Sequence, residues 1–342
     1  MLENPIKKGE IDNSRLSVAP MMDWTDRHCR FFHRTLSQHT LLYTEMVTAP
    51  ALVRGNATYL LDHDPREQPV ALQLGGSDPS ELAEAARMGW EAGYREVNLN
   101  CGCPSDRVQS GSFGAILMTR PALVAEICAA MRAACPAEIT VKCRIGVDDQ
   151  EPEAVLPDFL EHLQQAGVGR VIIHARKAWL QGLSPKDNRE IPPLDYALVL
   201  DMKRRYPHLH ISLNGGITSL DQARAVLDQG LDGVMVGRAA YQRPGDLLLA
   251  ADSIIFGGTA SATEVQALTR MRPYIAAELE KGTRLAAITR HMLGLFAGQP
   301  GARQWRRILS EQGHRQGAGL EVLDAALQAV HDAQSDLSSL TQ

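Results

Sequence analysis

The chain has no stretch approaching the roughly 18 uninterrupted apolar residues that a membrane helix needs, so no spanning segment is expected. Its first residues, Met1 to Ser14, are polar and mixed in charge, without the apolar region of a secretory signal. Cysteine is sparse and unpatterned. Cys29, Cys101, Cys103, Cys128, Cys135 and Cys143 include no CxxC pair and no even framework, which suits reduced thiols in a cytoplasm better than disulfides. The 11 histidines fall at no spacing with Cys, Asp or Glu that makes a metal site, so none is expected. Internal repeats and low-complexity tracts are missing too, which excludes solenoids and linkers. What remains is an ordinary globular balance, 44% hydrophobic and 22% charged, able to support a sizeable core.

The charge is unevenly spread. A net −5 argues mildly against a nucleic-acid partner, but a phosphate backbone is bound by a local basic face. Residues 281–315 carry Lys281, Arg284, Arg290, Arg303, Arg306, Arg307 and Arg315 against a single acid, Glu311.

From residue 16, short β-branched and apolar runs alternate with longer amphipathic stretches. The runs are Leu16–Pro20, Leu41–Met46, Pro69–Leu74, Glu96–Asn100, Ile139–Arg144, Arg170–His174, His210–Asn214 and Gly233–Gly237. Between them, Pro79–Ala92, Pro121–Ala133, Glu153–Ala166 and Ser219–Gln229 read as helices. Ser77-Asp78-Pro79 supplies cap oxygens and then a first-turn proline, and Ser219 with Gln222 resembles a capping box. Eight strands each followed by a helix predict an α/β fold of the closed (β/α)8 TIM-barrel kind. A doubly wound open sheet competes, but it needs no eighth strand and usually has a glycine-rich first turn, which is lacking here. After Gly257-Gly258 only helices are expected, roughly 264–281, 285–297, 301–313 and 319–336. The expected organisation is an extension over 1–14, a catalytic barrel over 15–258 and a small C-terminal helical domain over 259–342.

Active sites of such barrels lie at the C-terminal ends of the strands. Those ends are Pro20-Met21-Met22, Glu45, Gln73, Asn98 and Asn100, Lys142 with Arg144, His174, Asn214-Gly215-Gly216 and Gly237-Arg238. The last two are the most specific. Glycines let a backbone approach a ligand closely and open a helix N-terminus, while Arg238 can pair bidentately with phosphate oxygens. Two tight turns without a ligand are the plainer reading; a phosphate site after the seventh and eighth strands is the favoured one. Lys142 can neutralise an anionic ring or form a Schiff base, and a lone lysine does not decide between them. His174 reads either as a core histidine or, from its place at a strand end, as a ligand contact. The segment from Asn98 to Asp106 puts Cys101 and Cys103 on a sharp turn in the mouth. Cys103 is a candidate acid or nucleophile; Cys101, nearer the strand, points into the barrel or its wall.

These residues resemble the tRNA-dihydrouridine synthases. The runs Ser-Val-Ala-Pro-Met-Met-Asp-Trp-Thr-Asp (17–26), Tyr-Thr-Glu-Met (43–46), Ala-Leu-Gln-Leu-Gly-Gly (71–76) and Gly-Cys-Pro-Ser (102–105) are similar to that family. So are Val-Lys-Cys-Arg-Ile-Gly (141–146), Ile-Ile-His-Ala-Arg (172–176), Asn-Gly-Gly-Ile (214–217) and Val-Gly-Arg (236–238). The loop Lys177–Pro193 and Pro-Gly-Ala-Arg-Gln-Trp-Arg-Arg (300–307) resemble the A-type branch, and the resemblance runs from about residue 15 to 330.

The resemblance implies bound FMN, NADPH as reductant and tRNA as partner, with uridines 20 and 20a of the D-loop reduced to dihydrouridine. It implies hydride transfer from the flavin N5 to uracil C6, and a proton delivered to C5 by Cys103 as general acid. FMN contacts would be Pro20, Met21, Met22, Gln73, Lys142, His174, Asn214, Gly215, Gly216, Gly237 and Arg238. Asn100, Lys186, Arg189, Arg303 and Arg306 would contact tRNA. Cys101 departs from the family, which usually has a bulky apolar residue there, and a strained Cys101–Cys103 bond is conceivable. The chemistry agrees: no side chain supplies a hydride, and a stacked base must be extruded at a cost of about a few kcal/mol. Arg303, Arg306 and Arg307 share one helical face, which reads as a solvated surface except that Trp305 and other basic residues lie nearby. Competing readings are a flavin barrel acting on a free pyrimidine, an RNA-binding protein without chemistry, and a Schiff-base lyase using Lys142. A cytoplasmic monomer, needing no membrane and no protein partner, is expected.

Overall fold

A computed structural model describes residues 12–105, 112–258 and 262–340. Most of the expected N-terminal extension lies outside the described residues, as does Asp106 of the cysteine segment. The expected domain boundary at 258/259 adjoins residues 259–261, which are also outside them.

The eight apolar runs form β1 (Leu16–Val18), β2 (Leu42–Thr48), β3 (Val70–Gly75), β4 (Glu96–Cys101), β5 (Glu138–Arg144), β6 (Arg170–His174), β7 (His210–Asn214) and β8 (Gly233–Val236). All pair in parallel, in the order β1-β8-β7-β6-β5-β4-β3-β2. The ends of that row meet. The Val18 N–H donates to Leu41 O at 2.9 Å and the Leu41 N–H to Leu16 O at 3.0 Å, beside a parallel bridge between Ser17 and Leu41. That closure makes a barrel and excludes the open sheet.

The helices on the outside follow from caps and apolar stripes. In α1 (Arg27–Leu36) Asp26 accepts from the N–H groups of His28 and Cys29. In α3 (Pro79–Glu91), which follows the short α2 (Ala49–Val53), Asp78 accepts from those of Ser80 and Glu81. Then come α4 (Pro121–Ala134), α5 (Pro152–Gln165), α6 (Tyr196–Arg205) and α7 (Leu220–Asp228). Only half of the expected capping box forms at α7. Ser219 accepts from the Gln222 N–H, but the Gln222 side chain accepts from the Thr218 N–H at 2.8 Å instead of from that of Ser219. The short α8 (Arg238–Gln242), α9 (Pro244–Leu248) and α10 (Ala251–Ile254) lead out of the barrel.

The C-terminal segment holds α11 (Glu264–Glu280), α12 (Leu285–Thr289), α13 (Ala302–Gln312) and α14 (Leu320–Leu340). The expected helix 285–297 stops at Thr289. Beyond it the chain turns through i→i+3 bonds such as Met292 N–H to Thr289 O at 2.9 Å and Leu295 N–H to Met292 O at 3.1 Å. Position 294 has to be glycine: a Cβ there would lie 2.1 Å from Gln242 O, so the backbone presses directly on the end of α8.

One large apolar core fills the space between strands and helices and continues to Trp305, Leu309 and Val330 of the C-terminal segment. A second, smaller cluster of Ala19, Leu41, Tyr43, Ala71, Ile172 and Met235 is separate from it. At the N-terminal ends of the strands Arg170 is buried between Glu96 and Glu138. The C-terminal segment lies on α1, where Tyr274 stacks on Phe31 at 3.9 Å and Arg27 meets Glu278 at 2.6 Å.

Candidate active site

A cavity of about 630 Å³ opens at the C-terminal ends of the strands. Its lining includes Pro20, Met21, Met22, Gln73, Asn100, Cys103, Lys142, His174, Asn214, Gly215, Gly216, Gly237 and Arg238, all singled out in the sequence. Arg189 lines it as well; Lys186, Arg303 and Arg306 do not. The charged lining is entirely cationic among the described residues, with Lys142, Arg144, Arg189 and Arg238 and no carboxylate.

Most of these side chains are delivered by strand ends and the turns just after them, whereas Arg189 comes from the long loop after β6. At the end of β4 the chain turns sharply, and the N–H groups of Gly102 and Cys103 both donate to Asn100 Oδ1 at 3.0 Å. The Cys103 thiol is half-buried in the cavity wall, 3.5 Å from Ser105 Oγ. Cys101 points the other way, into the core, and is fully buried. Both thiols are free, so the conceivable Cys101–Cys103 bond is not formed. Burial raises the Cys101 thiol well above its ordinary value, which makes it a small apolar residue.

Lys142 is half-buried and has no carboxylate partner among the described residues. Burial, and then the Arg144 charge, lowers its ammonium to about 8 against the opposing effect of Cys143 and Cys103. His174 is 9% exposed, and burial followed by Arg144 and Lys142 depresses it well below 6.5, so its ring is neutral at pH 7.

The glycines are required by geometry. Gly215 (φ +113) and Gly216 (φ +76) adopt backbone conformations that side chains disfavour. A Cβ on Gly215 would meet the His174 ring at 2.7 Å, and one on Gly216 would meet Leu194 at 2.5 Å. The backbone is therefore packed from behind by side chains. Gly237 differs, for its nearest neighbour would be Ala19 Cβ at 3.9 Å, leaving open space beside the main chain. Arg238 is not idle: its guanidinium meets Glu190 at 2.5 Å, and this ion pair joins the start of α8 to the loop after β6.

That loop is ordered around Asn188, fully buried, whose Oδ1 accepts from the Trp179 N–H at 2.7 Å. Its Nδ2 donates to the carbonyls of Trp179, Leu183 and Ser184. Arg144 ties the loop to the cysteine turn. It is 3% exposed, donates to Gly102 O at 3.1 Å, Lys177 O at 3.2 Å and Asn188 O at 2.8 Å, and is lowered by burial to about 10. Sequence reasoning quoted Arg144 at its strand end without giving it this role and missed Asn188 altogether; a buried loop asparagine carries no distinctive pattern. Trp24 was missed as well. It lines the cavity and stacks on Tyr241 with ring centroids 4.4 Å apart.

The C-terminal arginines are sorted by the structure. Arg290 and Lys281 are held by Asp26 and Glu278. Arg284, Arg303, Arg306, Arg307 and Arg315 are exposed, and the five form no ion pair among the described residues. Trp305 does not share their face. It is fully buried, donates from Nε1 to Met292 O at 2.9 Å, and anchors α13 so that the arginines of the same helix face outward.

The described residues contain no helix long and apolar enough to cross a membrane and no cluster of His, Cys, Asp or Glu that could hold a metal ion. A family model described as Dihydrouridine synthase (Dus) matches residues 17–333. The chain is 57% identical over 322 residues to a tRNA-dihydrouridine(20/20a) synthase of Escherichia coli K12, covering 94% of this chain and 92% of that protein. It is 55% identical over 338 residues to a protein of the same name from Shewanella oneidensis, covering 98% and 99%. A third, from Vibrio cholerae, is 57% identical over 315 residues, covering 92% and 95%. With the match spanning nearly the whole chain, this protein belongs to the dihydrouridine synthase family of oxidoreductases.

Proposed function

We propose that this enzyme reduces uridines 20 and 20a of the tRNA D-loop to 5,6-dihydrouridine with FMN as cofactor and NADPH as electron source. The observation that carries the reading is one cavity lined by a half-buried thiol and four cations, with no carboxylate among the described residues. Such a lining fits a phosphorylated, electron-rich ligand. Lys142, an ammonium without a carboxylate partner among the described residues, fits the negative charge that the ring system takes on when reduced. The open space beside Gly237 and the guanidinium of Arg238 fit its phosphate.

Pro20, Met21, Met22, Gln73, Lys142 and His174 would hold the ring, and Asn214, Gly215, Gly216, Gly237 and Arg238 the phosphate end. When bound, the flavin supplies the hydride that reduces the uracil C5–C6 bond. Cys103 delivers the proton to C5, and the Asn100 side-chain oxygen Oδ1 fixes the turn that carries the thiol. Neutral His174 can donate a hydrogen bond without adding charge. Asn100, Lys186, Arg189, Arg303 and Arg306 would contact tRNA, and their phosphate contacts offset the cost of extruding the base. The barrel over 15–258 would carry the chemistry and the helical domain over 259–342 the RNA, in a monomer.

The test is Cys103→Ala. Dihydrouridine formation on tRNA lacking the modification is expected to fall at least a hundredfold, while NADPH still reduces the bound flavin at the wild-type rate. Undiminished product overturns the acid assignment, and a purified protein without flavin absorbance overturns the cofactor.

A further inference from the structure

We infer that Glu96, at the opposite end of the barrel from the cavity, is a positioning residue for the Cys103 turn, acting through a one-directional chain of buried hydrogen bonds. This rests on the reading of Cys103 as proton donor.

The chain is continuous. Thr140 Oγ1 donates to Glu96 Oε1 at 2.8 Å, Asn98 Nδ2 donates to Thr140 Oγ1 at 2.8 Å, and Gln73 Nε2 donates to Asn98 Oδ1 at 2.9 Å. Asn100 Nδ2 then donates to Gln73 Oε1 at 2.9 Å, and Asn100 Oδ1 accepts from the N–H groups of Gly102 and Cys103. Every link is buried: Glu96 is 6% exposed, Thr140 and Asn98 0%, Gln73 1% and Asn100 8%. Only Gln73 and Asn100 of the five line the cavity.

Its direction is set at the bottom. Glu96, paired with Arg170 and accepting also from Tyr43 Oη at 2.7 Å, can only accept while ionised. Thr140 must therefore donate downward, which leaves its lone pair for the Asn98 amide nitrogen. The same logic orients Gln73 and then Asn100, so the carboxylate at the bottom imposes the same amide orientation that the Gly102 and Cys103 N–H groups require at the top.

The consequence reaches the cavity. Asn100 Oδ1 has both lone pairs engaged by two N–H groups, and Nδ2 has spent one hydrogen on Gln73. Asn100 is left with one N–H to offer and no acceptor. A ligand group meeting it must accept a hydrogen bond, as a pyrimidine carbonyl does and an amino group does not. An inverted amide would repel the Gly102 and Cys103 N–H groups and release the turn.

The experiment uses flavin-loaded enzyme and unmodified tRNA, measuring flavin reduction by NADPH and dihydrouridine formation separately. Thr140→Val keeps the volume and removes the hydroxyl link. Dihydrouridine formation is expected to fall about tenfold to a hundredfold, flavin reduction to change less than about twofold, and Thr140→Ser to restore the loss. Tyr43→Phe deletes a hydrogen bond to the same carboxylate off the chain and is expected to leave both rates unchanged. Wild-type dihydrouridine formation in Thr140→Val, or equal losses in Thr140→Val and Tyr43→Phe, overturns the inference. Asn98→Leu breaks the chain one link higher and is read the same way if Thr140→Val does not fold. Cys103→Ala runs alongside: if it still makes product the proton-donor reading fails, whereas an inactive Cys103→Ala with a fully active Thr140→Val sinks only the chain.

Discussion

Arg290 Nη2 lies 2.7 Å from Asp26 Oδ2, and His291 meets the same carboxylate at 3.0 Å. Asp26 is also the cap of α1, and it follows the loop that brings Met21, Met22 and Trp24 to the cavity. One carboxylate therefore fastens the C-terminal segment to the first barrel helix beside the site. Tyr241 extends the junction, with its hydroxyl 3.1 Å from His291 Nδ1 and its ring stacked on Trp24.

Asp26→Ala removes the cap and leaves His291, 1% exposed, without its anion. A loss of about 2–4 kcal/mol in urea unfolding is expected. Arg290→Ala should cost under about 1 kcal/mol, since the arginine is 46% exposed. The loss is pH-dependent. Burial alone would raise the Asp26 carboxyl, but hydrogen bonds and charge from His291, the Cys29 N–H and Arg290 hold it well below the ordinary aspartate range. A depressed carboxyl contributes stability above its unfolded value of about 4 and loses it as pH falls through the folded one. The gap between wild type and Asp26→Ala should be widest near pH 6–7 and narrow below about pH 4. A gap constant from pH 7 to 3 would refute the charge contribution.

Cys101→Val should preserve both flavin reduction and dihydrouridine formation, with stability within about 1 kcal/mol, because the thiol packs as a small apolar group. Cys101→Ser should lose about 1–3 kcal/mol by burying a hydroxyl in apolar surroundings. A strong activity loss in Cys101→Val would mean that the other thiol of the turn does the chemistry.

The barrel was legible because parallel strands buried on both faces read as continuous apolar runs, and all eight run where the residues placed them. The cavity was legible because every strand end in this fold converges on one mouth. The polar interior was not. In α1 nine of ten residues are buried, including His28, Arg30, His33 and Arg34, which its apolar stripe does not mark as buried. Arg30 is there to meet Glu67 at 2.6 Å, and Arg34 to donate to the carbonyls of Ser37, Thr40, Glu67 and Pro69. Glu67 and Pro69 come from a distant part of the chain, which no local pattern records. Trp305 failed for the opposite reason: its position beside arginines suggested an RNA face, but helical geometry turned it to the core.

Lys142 predicts a pH dependence for cofactor affinity. Burial and the Arg144 charge lower its ammonium to about 8. A flavin carbonyl accepting a hydrogen bond from it would raise that value, so binding takes up a proton once the pH passes about 8. FMN affinity should therefore weaken as pH rises from 7 to 10. Lys142→Met should bind more weakly at pH 7 and show a flatter profile over that range. Titration of flavin fluorescence checks both, and parallel profiles for the two proteins would remove Lys142 from the flavin's surroundings.

Arg303 and Arg306 separate an RNA face from a solvated surface. Both are exposed on α13, neither is in an ion pair among the described residues, and the buried Trp305 fixes the helix that carries them. An arginine that neutralises a phosphate displaces a counterion, so each contact adds about 0.7–0.9 to the slope of log affinity against log salt. Arg303→Ala with Arg306→Ala should weaken tRNA binding and lower that slope by about one to two units. Flavin reduction by NADPH should be untouched, because neither residue lines the cavity. Arginines that merely solubilise the helix would leave the slope unchanged, since their counterions are present in the free and bound states alike.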